Sequence, residues 1–168
     1  MKTIPRYLEA AIATADGTFM ALYSSKGLVG LNFPARRGTT KPGAAGAVPE
    51  VIRKWHSTTS VALKRALTGK SPRELPPLDV SSGTNFQQAV WRELCRLKTG
   101  ETCSYGELAR RIGRPNAGRA VGGACGANLI PVLIPCHRVL AANQKPGGFS
   151  GGLDWKRKLL EREGVAIQ

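Results

Sequence analysis

The sequence contains no hydrophobic run that approaches the length of a membrane-spanning helix. Its first ten residues, MKTIPRYLEA, have no apolar stretch between their charged side chains, which argues against a secretory signal peptide. We therefore expect a protein that has no membrane partner and works in the cytoplasm, or on the nucleoid if DNA is its partner.

Metal ligands are scarce as well. Only two histidines, His56 and His137, could supplement the cysteines, and no Cys-x-x-Cys pair is present. This spacing argues against a zinc site, and a disulfide framework is not expected in a reducing compartment. The sequence thus predicts no metal site and free thiols at Cys95, Cys103, Cys125 and Cys136.

Acidic residues are few: 11 Asp and Glu stand against 25 Lys and Arg, which gives a formal net charge of +14. Hydrophobic residues make up 42% of the chain, enough to bury a core. Excess positive charge favours a polyanionic partner, because phosphate contacts dominate the affinity of proteins for nucleic acids. A basic surface that binds nothing is the alternative, since charge alone does not identify a partner.

The first third of the chain has the pattern of strands joined by tight turns. Asp16-Gly17 and the stretch from Ser24 to Gly27 are typical of hairpins. A loop rich in Gly, Ala, Pro and Lys follows over residues 34–47. The predicted strands cover residues 7–15, 18–24 and 28–33.

A helix is predicted after this loop, and it ends at Gly69. Its apolar members are Val51, Trp55, Val61, Leu63 and Leu67. The next stretch, residues 70–84, carries three prolines and little periodicity, so we place a domain boundary there. The predicted domains are residues 1–79 and 80–168.

The second half of the chain begins with a predicted helix in the segment TNFQQAVWRELCRLK. Cys95 follows Trp91 by four residues in this segment, which places it among the expected core residues. The apolar face of the helix consists of Phe86, Val90, Trp91, Leu94 and Leu97.

Two shorter helices are predicted next. The first begins at a capping box formed by Ser104 and Glu107 and ends at Gly113. The second covers residues 117–127, with Asn116 as its predicted cap. Two short helices joined by a few residues are typical of a helix-turn-helix.

The second of these helices is unusual in its glycines. Gly118, Gly122 and Gly126 lie four residues apart, so they form one nearly bare stripe. Each interior glycine costs about 1 kcal/mol of helix stability relative to alanine, so another surface must approach closely. That surface is either a widened DNA minor groove or a neighbouring helix, and the sequence leaves both open.

The segment PVLIPCHRVL predicts a buried extended stretch, with Cys136, His137 and Arg138 as its polar insertion. Neighbouring side chains of extended backbone point to opposite sides, so a water would have to link thiol and imidazole. Glu161 or Glu163 of the C-terminal helix could then hold the imidazole. A buried cysteine beside a structural histidine is the alternative interpretation. The glycine-rich loop after this segment contains Phe149, an aromatic ring suited to a flat ligand.

These motifs together resemble one protein family. The segments are FQQAVW, SYGELARRIGRPNAGRAVGGA, Asn128, IPCHRV and FSGGLDWKRKLLEREG, which cover residues 85–164 nearly continuously. They resemble the O6-alkylguanine-DNA alkyltransferases, also called methylated-DNA–protein-cysteine methyltransferases. The resemblance implies an α/β (α+β) fold: a small, three-stranded, ribonuclease H-like N-terminal domain and a mainly helical C-terminal domain with a helix-turn-helix.

The resemblance also implies a reaction. A protein of this family would repair DNA by transferring the alkyl group of O6-alkylguanine, with O4-alkylthymine as a further candidate, to its own cysteine, once and without a cofactor. Cys136 would accept the alkyl group, and His137 would be the water-linked base. Glu163 would orient His137, and Asn128 would support the preceding turn. Tyr105 would help rotate the nucleotide and assist the departing guanine at N3.

The implied partner is double-stranded DNA with an alkylated guanine, bound through its minor groove by a monomer. Arg119 would fill the gap left by the flipped nucleotide. The backbone of Cys136 and Val139 and the region of Ser150 would contact the guanine edges, and Phe149 would be an aromatic wall. The glycine-rich helix would touch DNA at Ala117, Gly118 and Gly122.

Other classes account for fewer of these features. A lesion-binding module without transfer resembles this chain but lacks an acceptor cysteine, and a helix-turn-helix regulator does not explain IPCHRV. A cysteine hydrolase would need direct contact between thiol and imidazole and an oxyanion hole. One departure from the family pattern is Leu129, where relatives usually have proline. The loop AANQKP also departs, which leaves the preferred alkyl size open.

Overall fold

Three antiparallel strands open the chain and five helices follow them in the computed structural model, which describes residues 7–35 and 48–167. The elements in chain order are β1 (Leu8–Thr14), β2 (Gly17–Tyr23), β3 (Leu28–Asn32), α1 (Glu50–Leu67), α2 (Asn85–Leu94), β4 (Cys103–Ser104), α3 (Tyr105–Arg111), α4 (Gly118–Gly126), β5 (Val139–Leu140) and α5 (Leu153–Arg162). The predicted α/β (α+β) class is confirmed. None of the helices in these residues is both long and apolar enough to cross a membrane.

The three predicted strands are confirmed within one or two residues. They form one sheet in the order β1-β2-β3, with Ile12 opposite Phe19 and Ala21 opposite Leu31. Gly17 closes the first hairpin at a φ of 113°, a backbone conformation that favours glycine. Most of the predicted loop, residues 36–47, lies outside the described residues.

Helix α1 ends at Leu67, and Gly69 follows with a φ of 73°. Its buried face consists of Ile52, Thr59, Ala62, Leu63 and Leu67. Val51 and Val61, two of the apolar residues that indicated this helix, are 49% and 59% exposed. They lie outside the buried stripe of the helix.

Helix α2 begins at a capping box formed by Thr84 and Gln87, and it buries Val90, Trp91 and Leu94. Trp91 also donates a hydrogen bond from Nε1 to the carbonyl of Ala124, at 2.8 Å, which ties α2 to α4. Cys95 is exposed, so its assignment to the core is wrong. The helix ends at Leu94, and the thiol therefore falls on the turn that leaves it.

The capping box of α3 is confirmed: Ser104 Oγ accepts from the backbone of Glu107, and Glu107 Oε2 accepts from the backbone of Ser104. Helix α4 is present, but Asn116 does not cap it. The capping position belongs to Ala117, and no side chain bonds there. Residues 114–117 close a turn through a 2.9 Å bond from Ala117 N–H to the Arg114 carbonyl, so the helix starts one residue later than predicted.

The segment before β5 is a compact turn, and its prediction as extended backbone is wrong for most of its length. Val132 has a φ of 74°, and the Ile134 amide donates to the Ile130 carbonyl at 2.9 Å. Cys136–Arg138 form one turn of 3-10 helix. Only Val139–Leu140 are extended, paired in parallel with β4.

Backbone hydrogen bonds join the sheet to the rest of the chain. The Leu31 amide on β3 donates to the Leu129 carbonyl, and the Leu28 amide donates to the Pro77 carbonyl, both at 2.8 Å. The buried core is continuous from Phe19 on the sheet to Leu159 on α5. The division into domains at residue 79 stays a prediction.

Candidate active site

Cys136 lies in the 3-10 turn and is 4% exposed. Its Sγ accepts a hydrogen bond of 3.2 Å from Asn128 Nδ2, which also donates to the Ile134 carbonyl at 2.9 Å. The Asn128 Oδ1 accepts from the Ile130 amide at 2.9 Å. One buried amide side chain therefore holds both ends of the turn together with its thiol.

His137 follows Cys136 and is 1% exposed. Its Nε2 lies 2.9 Å from Glu163 Oε1, so Glu163 is the carboxylate that meets the imidazole, while Glu161 is exposed. Arg138 donates two hydrogen bonds to the same carboxylate, from Nη2 at 2.9 Å and from Nε at 3.0 Å. The Gly100 amide adds a bond of 3.1 Å to Oε2.

These contacts fix the protonation state of Glu163. Burial raises its pKa, but the hydrogen bonds from His137 and Arg138 outweigh burial and lower the pKa to about 2. An ionised carboxylate only accepts hydrogen bonds, so Nε2 of His137 carries a proton. The other nitrogen, Nδ1, then holds the lone pair of a neutral imidazole.

Nδ1 of His137 is buried and has no hydrogen-bond partner within the described part of the chain. Burial lowers the pKa of His137, and the contact with Glu163 only partly opposes this, so the ring is neutral near pH 7. Burial also raises the pKa of the Cys136 thiol, although the Asn128 hydrogen bond and the Lys156 charge oppose it. The site therefore combines a protonated thiol with a neighbouring unprotonated nitrogen.

We expect Glu163→Gln to lower the free energy of unfolding by about 3 kcal/mol, because it leaves the buried Arg138 without its carboxylate. Glu161→Gln on the exposed end of α5 is the matched control, and we expect it to be close to neutral. Urea unfolding at pH 7 measures both. Glu163 stabilises the fold only in its ionised form. The difference in the free energy of unfolding between wild type and Glu163→Gln therefore shrinks as the pH falls below about 4.3, the pKa of a glutamate in the unfolded chain. A stability difference that does not change with pH would contradict the assignment of Glu163 as an ionised carboxylate.

A cavity of about 440 Å³ opens above the thiol. It brings together residues that are far apart in sequence, and its lining consists of Tyr105, Gly122, Cys125, Gly126, Cys136, Gly148, Phe149 and Ser150. A larger groove, of about 890 Å³, lies beside the sheet and α1 and does not include Cys136 or His137. Because the nucleophile lies in the smaller cavity, that cavity is the candidate substrate site.

The predicted DNA-contacting residues fall into two groups. Tyr105, Gly122, Phe149 and Ser150 line the cavity. Ala117, Gly118 and Arg119 lie at the start of α4, with Arg119 exposed, and Val139 is fully buried beside the turn.

The glycine stripe of α4 has two kinds of neighbour. A Cβ on Gly118 would lie 3.9 Å from the backbone of Gly106, and one on Gly122 would lie 3.8 Å from the ring of Tyr105. A Cβ on Gly126 would meet nothing within 4 Å. The stripe therefore faces α3 at its first two positions and is open at the third.

An aromatic cluster supports the cavity wall. The ring of Phe149 lies 5.7 Å from Phe33 and 6.4 Å from His137, edge to face. Phe33 in turn lies 4.9 Å from Trp155 on α5. The wall of the site therefore rests on a residue that follows β3.

Sequence analysis missed two residues of this site, Lys156 and Arg138. Lys156 is fully buried, and its Nζ donates to the carbonyls of Val139 and Gly148 at 2.6 and 3.2 Å. A signal was present: Lys156 shares the helical stripe of the buried Leu159 and Leu160, where a charged residue is out of place. Arg138 also gave a signal, as a charged residue in an apolar run, but its role was not predicted because its carboxylate partner lies 25 residues away.

The fold and site together define a protein with a mixed α/β body, a buried thiol that lines an open cavity, and, on the residue after the thiol, an imidazole bonded to a buried carboxylate. Residues 85–165 match the family described as "6-O-methylguanine DNA methyltransferase, DNA binding domain". A Mycobacterium tuberculosis protein named methylated-DNA–protein-cysteine methyltransferase is 52% identical over 93 residues, which are 54% of this chain and 56% of that protein. In such curated relatives, the match thus spans little more than half of their length.

Solved structures match over nearly the whole chain. The M. tuberculosis O6-methylguanine methyltransferase is 34% identical and has a TM-score of 0.74, with 94% of this chain and 92% of that chain covered. The same organism's OGT in complex with DNA is 36% identical, with a TM-score of 0.73 and coverage of 91% and 90%. The chain belongs to the O6-methylguanine DNA methyltransferase family.

Proposed function

We propose that the protein repairs alkylated DNA by direct reversal: it transfers the alkyl group of O6-alkylguanine to Cys136 and is consumed in doing so. The observation that carries this proposal is the buried Cys136 thiol in the lining of an open cavity, followed in the chain by His137, whose buried Nδ1 has no hydrogen-bond partner within the described residues. Family membership and the relative crystallised with DNA support the same function.

The proposed reaction is a single displacement. Through a bridging water, Nδ1 of His137 takes the proton of the Cys136 thiol, and Glu163 stabilises the resulting imidazolium. The thiolate forms a bond to the alkyl carbon, and the carbon–oxygen bond to guanine breaks. Its electron pair stays on guanine, which takes up a proton with assistance from the hydroxyl of Tyr105. The products are intact guanine and a stable thioether, so no cofactor is required.

Helices α3 and α4 would act as the DNA-binding helix-turn-helix, with α4 in the minor groove of the duplex. The exposed Arg119 would occupy the gap left by the flipped nucleotide, whose base enters the cavity between Tyr105 and Phe149. The backbone of Val139 and the region of Ser150 would contact the guanine. We propose that a monomer carries out this reaction in the cytoplasm, on the nucleoid.

The direct test is intact mass spectrometry of the protein after incubation with a duplex that contains O6-methylguanine. We expect one added methyl group per protein molecule and no further reaction with excess DNA. Tight binding of the damaged duplex without a change in mass would instead identify a lesion-binding module.

We expect Gly126→Leu to weaken binding to undamaged duplex DNA by about tenfold, because the added side chain would project from the open end of the stripe on α4, the helix proposed to enter the minor groove. Gly123→Leu is the control, since a Cβ there also meets nothing within 4 Å but lies off the stripe. Both changes should stabilise the helix, by up to about 1 kcal/mol. Fluorescence anisotropy and thermal unfolding measure the two effects. Equal affinities of the two variants would contradict the proposed orientation of α4.

A further inference from the structure

Lys156 is a fully buried lysine on α5. Its Nζ donates to two backbone carbonyls, Val139 on β5 and Gly148 in the loop that lines the cavity. Within residues 7–35 and 48–167, no carboxylate lies within ion-pair distance of it. The amine therefore links the active-site turn to the cavity loop. No carboxylate in the described residues balances its positive charge.

A buried ammonium group without a counter-charge is costly, and an apolar side chain would fill this position on the stripe of Leu159 and Leu160 at lower cost. Burial lowers the pKa of Lys156 to about 8, so the amine is still mainly protonated at pH 7. The ionisable groups that favour its charge are two thiols of the cavity, Cys136 and Cys125.

The two thiols are not equivalent partners. Burial raises the pKa of both thiols, and Cys125 has no hydrogen bond to a base among those found in the described residues. Cys136 has the Asn128 hydrogen bond and the neighbouring imidazole. A negative charge that forms in the cavity therefore forms on Cys136.

We propose that Lys156 is a positioning and electrostatic residue for the acceptor thiol: its buried ammonium group stabilises the Cys136 thiolate and fixes the cavity loop to the active-site turn. The inference rests on the proposed function, because it assigns a role within the same reaction. The proton balance is unchanged, since the Cys136 proton still passes to His137. Lys156 keeps its own protons and lowers the energy of the anion that remains.

Several titratable groups surround this pair and define its pH dependence. Cys136 and His137 face it from the 3-10 turn, Cys125 from α4 and Tyr105 from α3. Behind the imidazole stand Glu163 and Arg138, which pair with each other. The positive charge of Lys156 slightly disfavours the protonated imidazole, and the Glu163 carboxylate offsets this effect.

The test uses three variants of the full chain at Lys156. Lys156→Gln keeps a hydrogen-bond donor without charge, Lys156→Met suits the apolar stripe, and Lys156→Arg keeps the charge. Lys158→Gln on the same helix is the control, because Lys158 is 44% exposed and pairs with Asp16 at the surface. Thermal unfolding confirms that each variant is folded.

The readout is the rate at which iodoacetamide labels Cys136 between pH 6 and 10, followed by mass spectrometry of the Cys136 peptide. At pH 7 we expect labelling about tenfold slower in the Gln and Met variants, as expected for removal of a nearby opposite charge. The rates should converge with wild type at high pH. Lys156→Arg should recover most of the rate, and the control should match wild type.

The proposal is overturned if Lys156→Gln is labelled as fast as wild type. It is also overturned if the Arg variant is as slow as the Gln variant, because packing alone would then explain the effect. Methyl transfer from an O6-methylguanine duplex is measured in parallel. A wild-type protein that accepts no methyl group refutes the proposed function, whereas the labelling rates still decide the role of Lys156.

Discussion

Replacing Cys136 with alanine is expected to abolish alkyl transfer and to leave DNA binding unchanged. The thiol is the one cavity group that combines a hydrogen bond from Asn128 with a neighbouring imidazole. The alanine variant keeps the backbone turn, because the bonds from Asn128 to Ile134 and Ile130 do not involve sulfur. Cys136→Ala should therefore abolish alkyl transfer completely and change the free energy of unfolding only a little.

A second thiol offers the matched control for this prediction. Cys125 lines the same cavity, and burial raises its pKa as it does that of Cys136, but the Asn128 hydrogen bond and the adjacent imidazole belong to Cys136. Cys125→Ala should accept one methyl group per molecule, as wild type does. Intact mass and anisotropy on the same O6-methylguanine duplex measure transfer and binding. Methylation of the Cys136→Ala protein would show that another residue is the acceptor.

Replacing His137 with glutamine is expected to slow alkyl transfer at pH 7 by about 10² to 10³-fold, the range typical of a lost general base. In the wild type, transfer should rise with pH as the imidazole loses its proton and then level off. Burial lowers the pKa of His137, so that rise falls on the acid side of neutrality. In the variant, the rate should keep rising at alkaline pH, because the thiolate then forms only as Cys136 itself titrates.

The other histidine of the chain is the control for this measurement. His56 bonds the hydroxyl of Tyr23 at 3.0 Å beside the sheet, and His56→Gln should leave the pH profile of transfer unchanged. Rapid-quench measurement of methyl transfer under single-turnover conditions gives the rates. A His137→Gln protein that keeps the wild-type profile would mean that the imidazole does not deprotonate the thiol.

The features that could be predicted from the sequence depend on neighbouring residues. The capping box of Ser104 and Glu107 and the hairpin turn at Gly17 were predicted correctly, because each is decided within three or four residues. The turn before Cys136 was not, because Asn128 bonds shape it from outside the segment. The apolar composition of this segment predicts that it is buried, but it does not predict the conformation of its backbone.

The same distinction applies within the site. Cys136 and His137 could be found because they stand side by side in an apolar run. Glu163 could only be narrowed to one of two carboxylates, and the contact with Arg138 that fixes it required the fold. The role of Lys156 could not be predicted, because its two carbonyl partners, Val139 and Gly148, lie 17 and 8 residues before it in the chain and only the fold brings them to the amine.

The bonds between the sheet and the active-site half have a consequence for how the chain can change over evolution. Leu31 meets Leu129, and Leu28 meets Pro77, through amide and carbonyl groups that every residue except proline provides in full. Substitutions in the first 80 residues can therefore accumulate without breaking the support beneath the thiol. A solved relative with 34% identity matches 94% of this chain. The fold of the amino-terminal half can thus be kept while many of its side chains change.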